Sequence, residues 1–339
     1  MTLKIKDLEL KSNVILAPMT GVTDLPFRKL VKHLGVGMVV SEMIASQSMI
    51  RQTKRSMQMC QGSPEEYPMA VQLAGCDPAI MAEAAKLNED LGANIIDINM
   101  GCPVKKVAEK SYAGSALMKD EVHAAKIIEA TVKAVKIPVT LKMRTGWDDT
   151  NRNAPRLAKI AEDLGVQMIT VHGRTRMQMY TGKSDWEFIR MVKNAVKVPV
   201  IGNGDIVTEE DAKKLIDIAG VDGVMIGRGT YGRPWFPNQV QHFLKTGEKL
   251  TAPSLIEQKT IIMNHLEHIM EHHGEHTGIM MSKKHVGWYS KGLPASASFR
   301  LSAMQSTTYN ELKLLMEDFF SKCIDLSQQD CQILCNQLP

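Results

Sequence analysis

What the sequence lacks narrows what the chain can be. No two of its six cysteines, Cys60, Cys76, Cys102, Cys323, Cys331 and Cys335, are spaced CxxC. That removes the usual redox-disulfide and structural-zinc signatures and points to reduced thiols in a cytoplasmic protein. The longest apolar runs are only strand-length, so no membrane-spanning helix is expected. Met1 to Leu10 alternates charged with apolar residues and does not read as a secretory signal. Neither sign of charge dominates: 41 Lys and Arg against 37 Asp and Glu leave a net charge of +4. A strongly cationic nucleic-acid-binding domain would have an isoelectric point above ~9, so any grip on RNA must come from local patches. HExxH is missing as well. His265, His268, His272 and His276 share one helical stripe, but Ile261, Ile262 and Ile269 lie on the same side. The stripe reads as one face of an amphipathic helix, and no metal is expected.

What is present is an alternation. Eight short apolar runs recur: Asn13 to Ala17, Gly37 to Ser41, Pro68 to Leu73, Asn94 to Ile98, Pro138 to Met143, Gln167 to Val171, Pro199 to Gly202 and Asp222 to Ile226. Each is near-continuously apolar, as a strand buried on both faces should be. Helical periodicity lies between them, at Ala79 to Leu91, Asp120 to Val135, Ala154 to Leu164 and Glu209 to Ala219. Two connectors, Val132 to Val139 and Val192 to Val200, both close a helix and open a strand at Pro-Val. Eight such units predict an α/β fold, a (β/α)8 TIM barrel over residues 1–244. A doubly wound sheet is the alternative. After about Trp235 the strand-like runs stop. A C-terminal all-helical domain is predicted over 245–339, with helices at Leu255 to His273, Met280 to Lys291 and Tyr309 to Leu326.

Barrel enzymes place their sites at the C-terminal strand ends. Polar residues collect there in register: Thr20, Glu42, Gln72, Asn99, Lys142 with Arg144, His172, Asn203 with Asp205, and Arg228. The last two loops, Gly202-Asn-Gly204 and Gly227-Arg-Gly229, suit a phosphate, because glycine lets backbone N–H groups approach an anion. Gly227 to Gly232 also matches the GxGxxG dinucleotide fingerprint. That reading fails, since Pro234 and Pro237 interrupt the would-be helix and no acidic residue ends a second strand ~20 residues on. Cys102 stands apart from the other five cysteines, which read as packing residues. It sits in a Gly-Cys-Pro loop at the rim, where Lys105 and Lys106 could favour its thiolate.

Ordered motifs run from about residue 14 to 236. They include Ala17-Pro-Met-Thr-Gly-Val-Thr-Asp24, Asp97-Ile-Asn-Met-Gly-Cys-Pro103, Leu141-Lys-Met-Arg-Thr-Gly-Trp147, Val171-His-Gly-Arg-Thr-Arg176 and Gly232-Arg-Pro-Trp235. Lys284-His285, Trp288-Tyr289 and Arg300 follow in the tail. This set resembles the tRNA-dihydrouridine synthases, closest to the bacterial B-type branch. The resemblance implies that FMN, reduced by NADPH, passes hydride from N5 to C6 of a uracil in the tRNA D-loop. Cys102 matches the family's proton donor to C5. Pro18, Met19 and Thr20 would line the flavin, Gln72 would bond its ring, and Lys142 and His172 would face its N1/O2 edge. Asn203, Gly204, Asp205, Gly227 and Arg228 would hold the ribityl phosphate. Asn99 and Arg144 would touch substrate, and Lys283, Lys284, His285, Lys291 and Arg300 would contact tRNA lying across the barrel mouth and the helical domain. Two positions depart from the pattern: Thr20 where alanine is usual and Lys283 where arginine is usual. A small-molecule FMN-barrel pyrimidine reductase is the main rival, and a non-catalytic tRNA-binding scaffold is the other. Which uridine is reduced stays open, and a monomer is expected with a dimer not excluded.

Overall fold

The computed structural model describes the backbone of residues 3–336 and the side chains of residues 3–328. Eight parallel strands close into a barrel: β1 (Val14–Leu16), β2 (Met38–Val40), β3 (Met69–Ala74), β4 (Ile95–Met100), β5 (Val139–Arg144), β6 (Ile169–His172), β7 (Val200–Asn203) and β8 (Gly223–Ile226). Closure decides against a doubly wound sheet, because β1 bonds both β2 and β8. A two-residue strand, Ile44–Ala45, adds to the edge of β3.

Helices return the chain between strands, and local chemistry starts and stops them. Asp24, Asp77, Asp120 and Asp185 each accept the N–H three residues ahead, capping Leu25–His33, Pro78–Asp90, Glu121–Ala134 and Trp186–Ala195. The two Pro-Val connectors have matching physical counterparts. Glu89 accepts the N–H groups of Lys136 and Ile137, and Glu162 accepts those of Lys197 and Val198. Each glutamate comes from the helix one unit earlier, Pro78–Asp90 or Ala154–Asp163, and satisfies donors that the adjacent proline's turn leaves out of any ladder.

Helices Leu25–His33, Trp186–Ala195 and Ser296–Gln305 go beyond those the periodicity predicts. One reading is corrected. A helix, Phe236–Thr246, does follow the Gly227 to Gly232 motif, because Pro237 falls in its first turn, where a missing N–H costs nothing.

A hairpin, Leu3–Ile5 with Leu8–Leu10, closes the N-terminal end of the barrel. Its Leu3, Ile5 and Leu10 pack with Ile15, Met38, Ala70, Ile95, Met168, Ile201 and Met225 in one buried cluster. The opposite end is therefore the open one.

The chain divides into two compact units. The first holds residues 1–229 and 236–249, and the second holds residues 230–235 and 250–339. The second is helical: Leu255–Tyr289, Ser296–Gln305 and Tyr309–Asn336 pack around Leu266, Ile269, Phe299, Phe319 and Phe320. Gly274 breaks the first of these with φ +72°, a conformation glycine adopts without strain. Tyr231 belongs here because its ring stacks on Trp288 at 4.0 Å. Among the described residues no helix is long and apolar enough to cross a membrane.

One charged pair is buried outright. Arg28 meets Glu66 at 2.6 Å, with the two side chains 1% and 0% exposed, and its remaining donors go to the carbonyls of Thr23 and Gln61. Burial outweighs the guanidinium and leaves the Glu66 carboxyl above its usual range. Glu66→Ala, which strands a buried guanidinium, is expected to cost about 3 kcal/mol in urea unfolding, whereas the double variant Arg28→Met/Glu66→Ala recovers much of that. A double variant no more stable than the single would contradict this account.

Candidate active site

Side chains alternate along a strand, so the inward positions can be counted outward from the apolar interior. Ala70 leads to Gln72, Ile95 to Asp97 and Asn99, Ile201 to Asn203, and Met225 to Gly227. The inward face turns from apolar to polar within one or two steps on the first three of these strands and to glycine on the fourth, all at the open end.

The loop after β4 is held from several sides. Asn99 Oδ1 accepts the N–H groups of Gly101 (3.1 Å) and Cys102 (2.9 Å). Ser115 Oγ donates to the Cys102 carbonyl at 2.8 Å, and Arg144 Nε to the Gly101 carbonyl at 2.8 Å. Burial pushes the Cys102 thiol up, opposed by the Val104 N–H and by Arg144 and Lys142. The cations that face the thiol are thus these two, and not Lys105 or Lys106 as the sequence suggested. Their pull does not overcome burial, so the group stays a thiol at neutral pH.

Four cations, Lys142, Arg144, Arg174 and Arg228, crowd the mouth around His172. Burial, and then Arg144, brings Lys142 down to about 8, while Asp97 and Cys102 favour its charge. Its Nζ reaches Asn203 Oδ1 at 3.3 Å. Arg144 is also lowered, to about 10, chiefly by burial. Its Nη1 donates to the carbonyls of Thr175 and Met179, so it ties the Cys102 loop to the loop after β6. That makes Arg144 first of all a strut, and its expected substrate contact can use only what is left of the guanidinium. His172 is held well below its ordinary value by burial and by Arg144, Lys142, Arg174 and Arg228, which fixes a neutral imidazole. Its buried Nδ1 has no hydrogen-bond partner among the described residues.

The loops after β7 and β8 meet the loop after β6. Gly204 has φ +121° and Asp205 φ +58°, and a Cβ on Gly204 would fall 2.4 Å from Ser184 Oγ. Asp205 was expected to hold phosphate, but its carboxylate accepts from Arg174 at 2.7 Å and from the Ser184 N–H at 2.7 Å, with Arg228 3.7 Å away. A carboxylate repels phosphate, so Asp205 can serve an anion only through its backbone. Asn203 is similarly committed, its Nδ2 donating to the Met225 carbonyl at 2.7 Å. On the loop after β1, Pro18 and Met19 are half-buried and Thr20 is exposed. Glu42 steadies that loop by accepting the Gly21 N–H at 2.5 Å.

The dihydrouridine synthase family model matches residues 15–324. The chain belongs to the dihydrouridine synthase family. It is 55% identical to a probable tRNA-dihydrouridine synthase of Rickettsia prowazekii over 327 residues, covering 96% of this chain and all of that one. It is 50% identical to tRNA-dihydrouridine synthase B of Pseudomonas aeruginosa over 86% of this chain and 87% of that one. These are oxidoreductases. Among solved structures, a morphinone reductase mutant in complex with tetrahydroNAD shares the fold, with a TM-score of 0.54 at 15% identity over 76% of this chain and 93% of that one.

In this dihydrouridine synthase the tail residues fall into two groups. Lys284 is exposed beside Trp288, Lys291 is exposed and Arg300 is half-buried. His285 is only 1% exposed, with its ring 4.7 Å from that of His265, so it is a core group and not a surface for RNA. Lys283 donates to the Met304 carbonyl at 2.9 Å. His265, from the histidine stripe, is buried, and its Nδ1 lies 2.8 Å from the Tyr289 hydroxyl. Of the remaining cysteines, Cys60 and Cys323 are buried and Cys76 is half-buried, while Cys331 and Cys335 lie outside the described side chains.

The sequence reading passed over Asp97, Arg174, Ser184 and Ser115. Asp97 and Arg174 lie inside quoted motifs, and strand parity marks Asp97 as inward-facing. Ser115 lies in Gly114-Ser-Ala-Leu117, a further motif of the same resemblance, while nothing local marks Ser184.

A raised thiol pKa has a direct readout. Alkylation of Cys102 by iodoacetamide, followed at its own peptide by mass spectrometry, is expected to reach half its maximal rate above pH 9.0. A midpoint in the lower range of thiols activated by nearby cations would show that Arg144 and Lys142 prevail over burial.

Proposed function

We propose that this enzyme reduces a uridine in the D-loop of tRNA to 5,6-dihydrouridine in the cytoplasm. FMN, reduced by NADPH, would supply the hydride that reaches C6 of the ring. The chain's own residues fit such a group. Gly204, packed so closely on Ser184 that no side chain fits, brings bare backbone to the mouth, and Gly227 leaves a space beside Ala17 and Met19 that a side chain would fill. The buried Arg174 Nη1 and His172 Nδ1, both lacking partners among the described residues, are donors or acceptors in search of a ligand atom.

The observation that carries the reading is the Cys102 thiol. It sits protonated on a rigid loop, among cations, at the mouth of the barrel. A group that keeps its proton at neutral pH and can yield it to an enolate-like carbon is what protonation of C5 requires. Arg144 and Lys142 lie close enough to stabilise the thiolate left behind, which lowers the cost of giving up that proton. Lys142, down at about 8, gains from any negative charge placed near it and would stabilise charge accumulating on a reduced flavin ring. Neutral His172 can accept or donate one hydrogen bond without adding a further cation. Gln72 and Asn99 each keep an amide N–H beyond those already used, for ring or base. Lys284, Lys291 and Arg300 supply local positive charge for the RNA backbone, with Lys283 turned partly to its own chain.

Visible spectroscopy tests the reading. The purified protein is expected to show a flavin spectrum that NADPH bleaches and unmodified tRNA restores under anaerobic conditions. Reoxidation by free pyrimidines but not by tRNA would favour the small-molecule reductase. Cys102→Ala is expected to keep flavin and tRNA bound while turnover falls ~10²–10⁴-fold, and unchanged turnover would end its role as the acid. Gly204→Ala is expected to leave circular dichroism unchanged but to purify with little flavin, since its Cβ meets Ser184 and its φ disfavours any side chain. Full flavin content in that variant would move the phosphate site elsewhere.

A further inference from the structure

Asp97 has no part in the chemistry just described, yet it is 3% exposed and lies one inward step below Asn99 on β4. Thr140 Oγ1 donates to its Oδ1 at 2.6 Å, and Gln72 Nε2 donates to its Oδ2 at 2.6 Å. Gln72 Oε1 accepts from Asn99 Nδ2 at 2.7 Å, and Asn99 Oδ1 accepts the Gly101 and Cys102 N–H groups. The direction of this run is forced from the loop end. Backbone N–H groups can only donate, so Asn99 must turn its oxygen to the loop and its nitrogen to Gln72. Gln72 must then meet Asn99 with oxygen, which turns its own nitrogen to Asp97. A carboxylate closes the run because it accepts without needing to donate.

We propose that Asp97 is a positioning residue: it fixes the orientation of the Gln72 and Asn99 amides and so holds the loop that carries Cys102. An asparagine at 97, still accepting from Thr140, would offer an N–H where Gln72 already presents one. Relief by rotating both amides would aim Asn99 nitrogen at two backbone N–H groups. The strain introduced at Asp97 is thus delivered to the loop. The catalytic consequence rests on Cys102 being the proton donor, but the hold on the loop does not.

The test is Cys102 alkylation at its high-pH plateau, where the rate reads access to the loop and not the charge of the thiol. Asp97→Asn is expected to raise that plateau about tenfold, the equivalent of one buried hydrogen bond. Two double variants restore the polarity of every link. In Asp97→Asn/Gln72→Glu the new carboxylate accepts from both neighbours. In Asp97→Asn/Asn99→Asp the run simply reverses, with the carboxylate still accepting the loop N–H groups. Both are expected to return to the wild-type plateau, and to do so even if the single variant fails to fold. Wild-type labelling in Asp97→Asn, or doubles that label fast or do not fold, would overturn the proposal. Because no turnover enters this readout, loss of the proton-donor role through Cys102→Ala would leave the result interpretable.

Discussion

The inward face of a closed barrel is screened from bulk water, so a polar group placed there is held chiefly by partners on the other strands. That constraint shapes the site. The interior is apolar up to Ala70, Ile95, Ile201 and Met225, and from the next inward residues the strands carry amides, a carboxylate, a lysine and a histidine. Thr140, Asp97, Gln72 and Asn99 are bound in one run across three strands, with Lys142 bound separately to Asn203, and each pairing in the run leaves few ways to arrange the rest. A single run of hydrogen bonds therefore reaches from the wall of the barrel to the backbone of Cys102.

The charges at the mouth obey the same constraint with different weights. Lys142, Arg144, Arg174 and Arg228 surround His172, while Asp205 balances Arg174 and stands 3.7 Å from Arg228. Burial, and after it the neighbouring cations, disfavours the charged form of a base, and Lys142, Arg144 and His172 all move down. The thiol moves up for the same underlying reason, desolvation of its charged form. The pocket thus holds a neutral imidazole, an intact thiol and a lysine near its titration point. This state gains from an incoming anion, as the phosphate and the reduced ring of the proposed flavin would be.

Much of this was legible in the sequence because barrel physics writes itself locally. Strands buried on both faces must be apolar runs, and prolines must punctuate their entry, so the eight runs could be counted directly. Polar residues at the far ends of those runs marked the mouth. Illegible were the features that depend on who meets whom across space. Asp205 read as a phosphate residue from the family resemblance, yet its carboxylate belongs to Arg174. His285 read as an RNA contact through the Lys284-His285 motif of the resemblance, and three-dimensional packing turned it against His265 and Tyr289. Pro237 read as a helix breaker, but position within the first turn decides what a proline does.

The departure at Lys283 shows how such spatial facts change an inference. A lysine in place of arginine loses the bidentate fork that phosphate recognition favours. Here the ammonium donates to the Met304 carbonyl, in the last turn of Ser296–Gln305. Carbonyls at a helix C-terminus lack intrahelical partners and carry the negative end of the helix dipole. A compact ammonium on a flexible stem serves that acceptor as well as a planar guanidinium would. Lys283 thus helps hold two helices of the tail together. Lys284, one residue on, stays exposed beside the Trp288 ring and keeps a charge available at the surface.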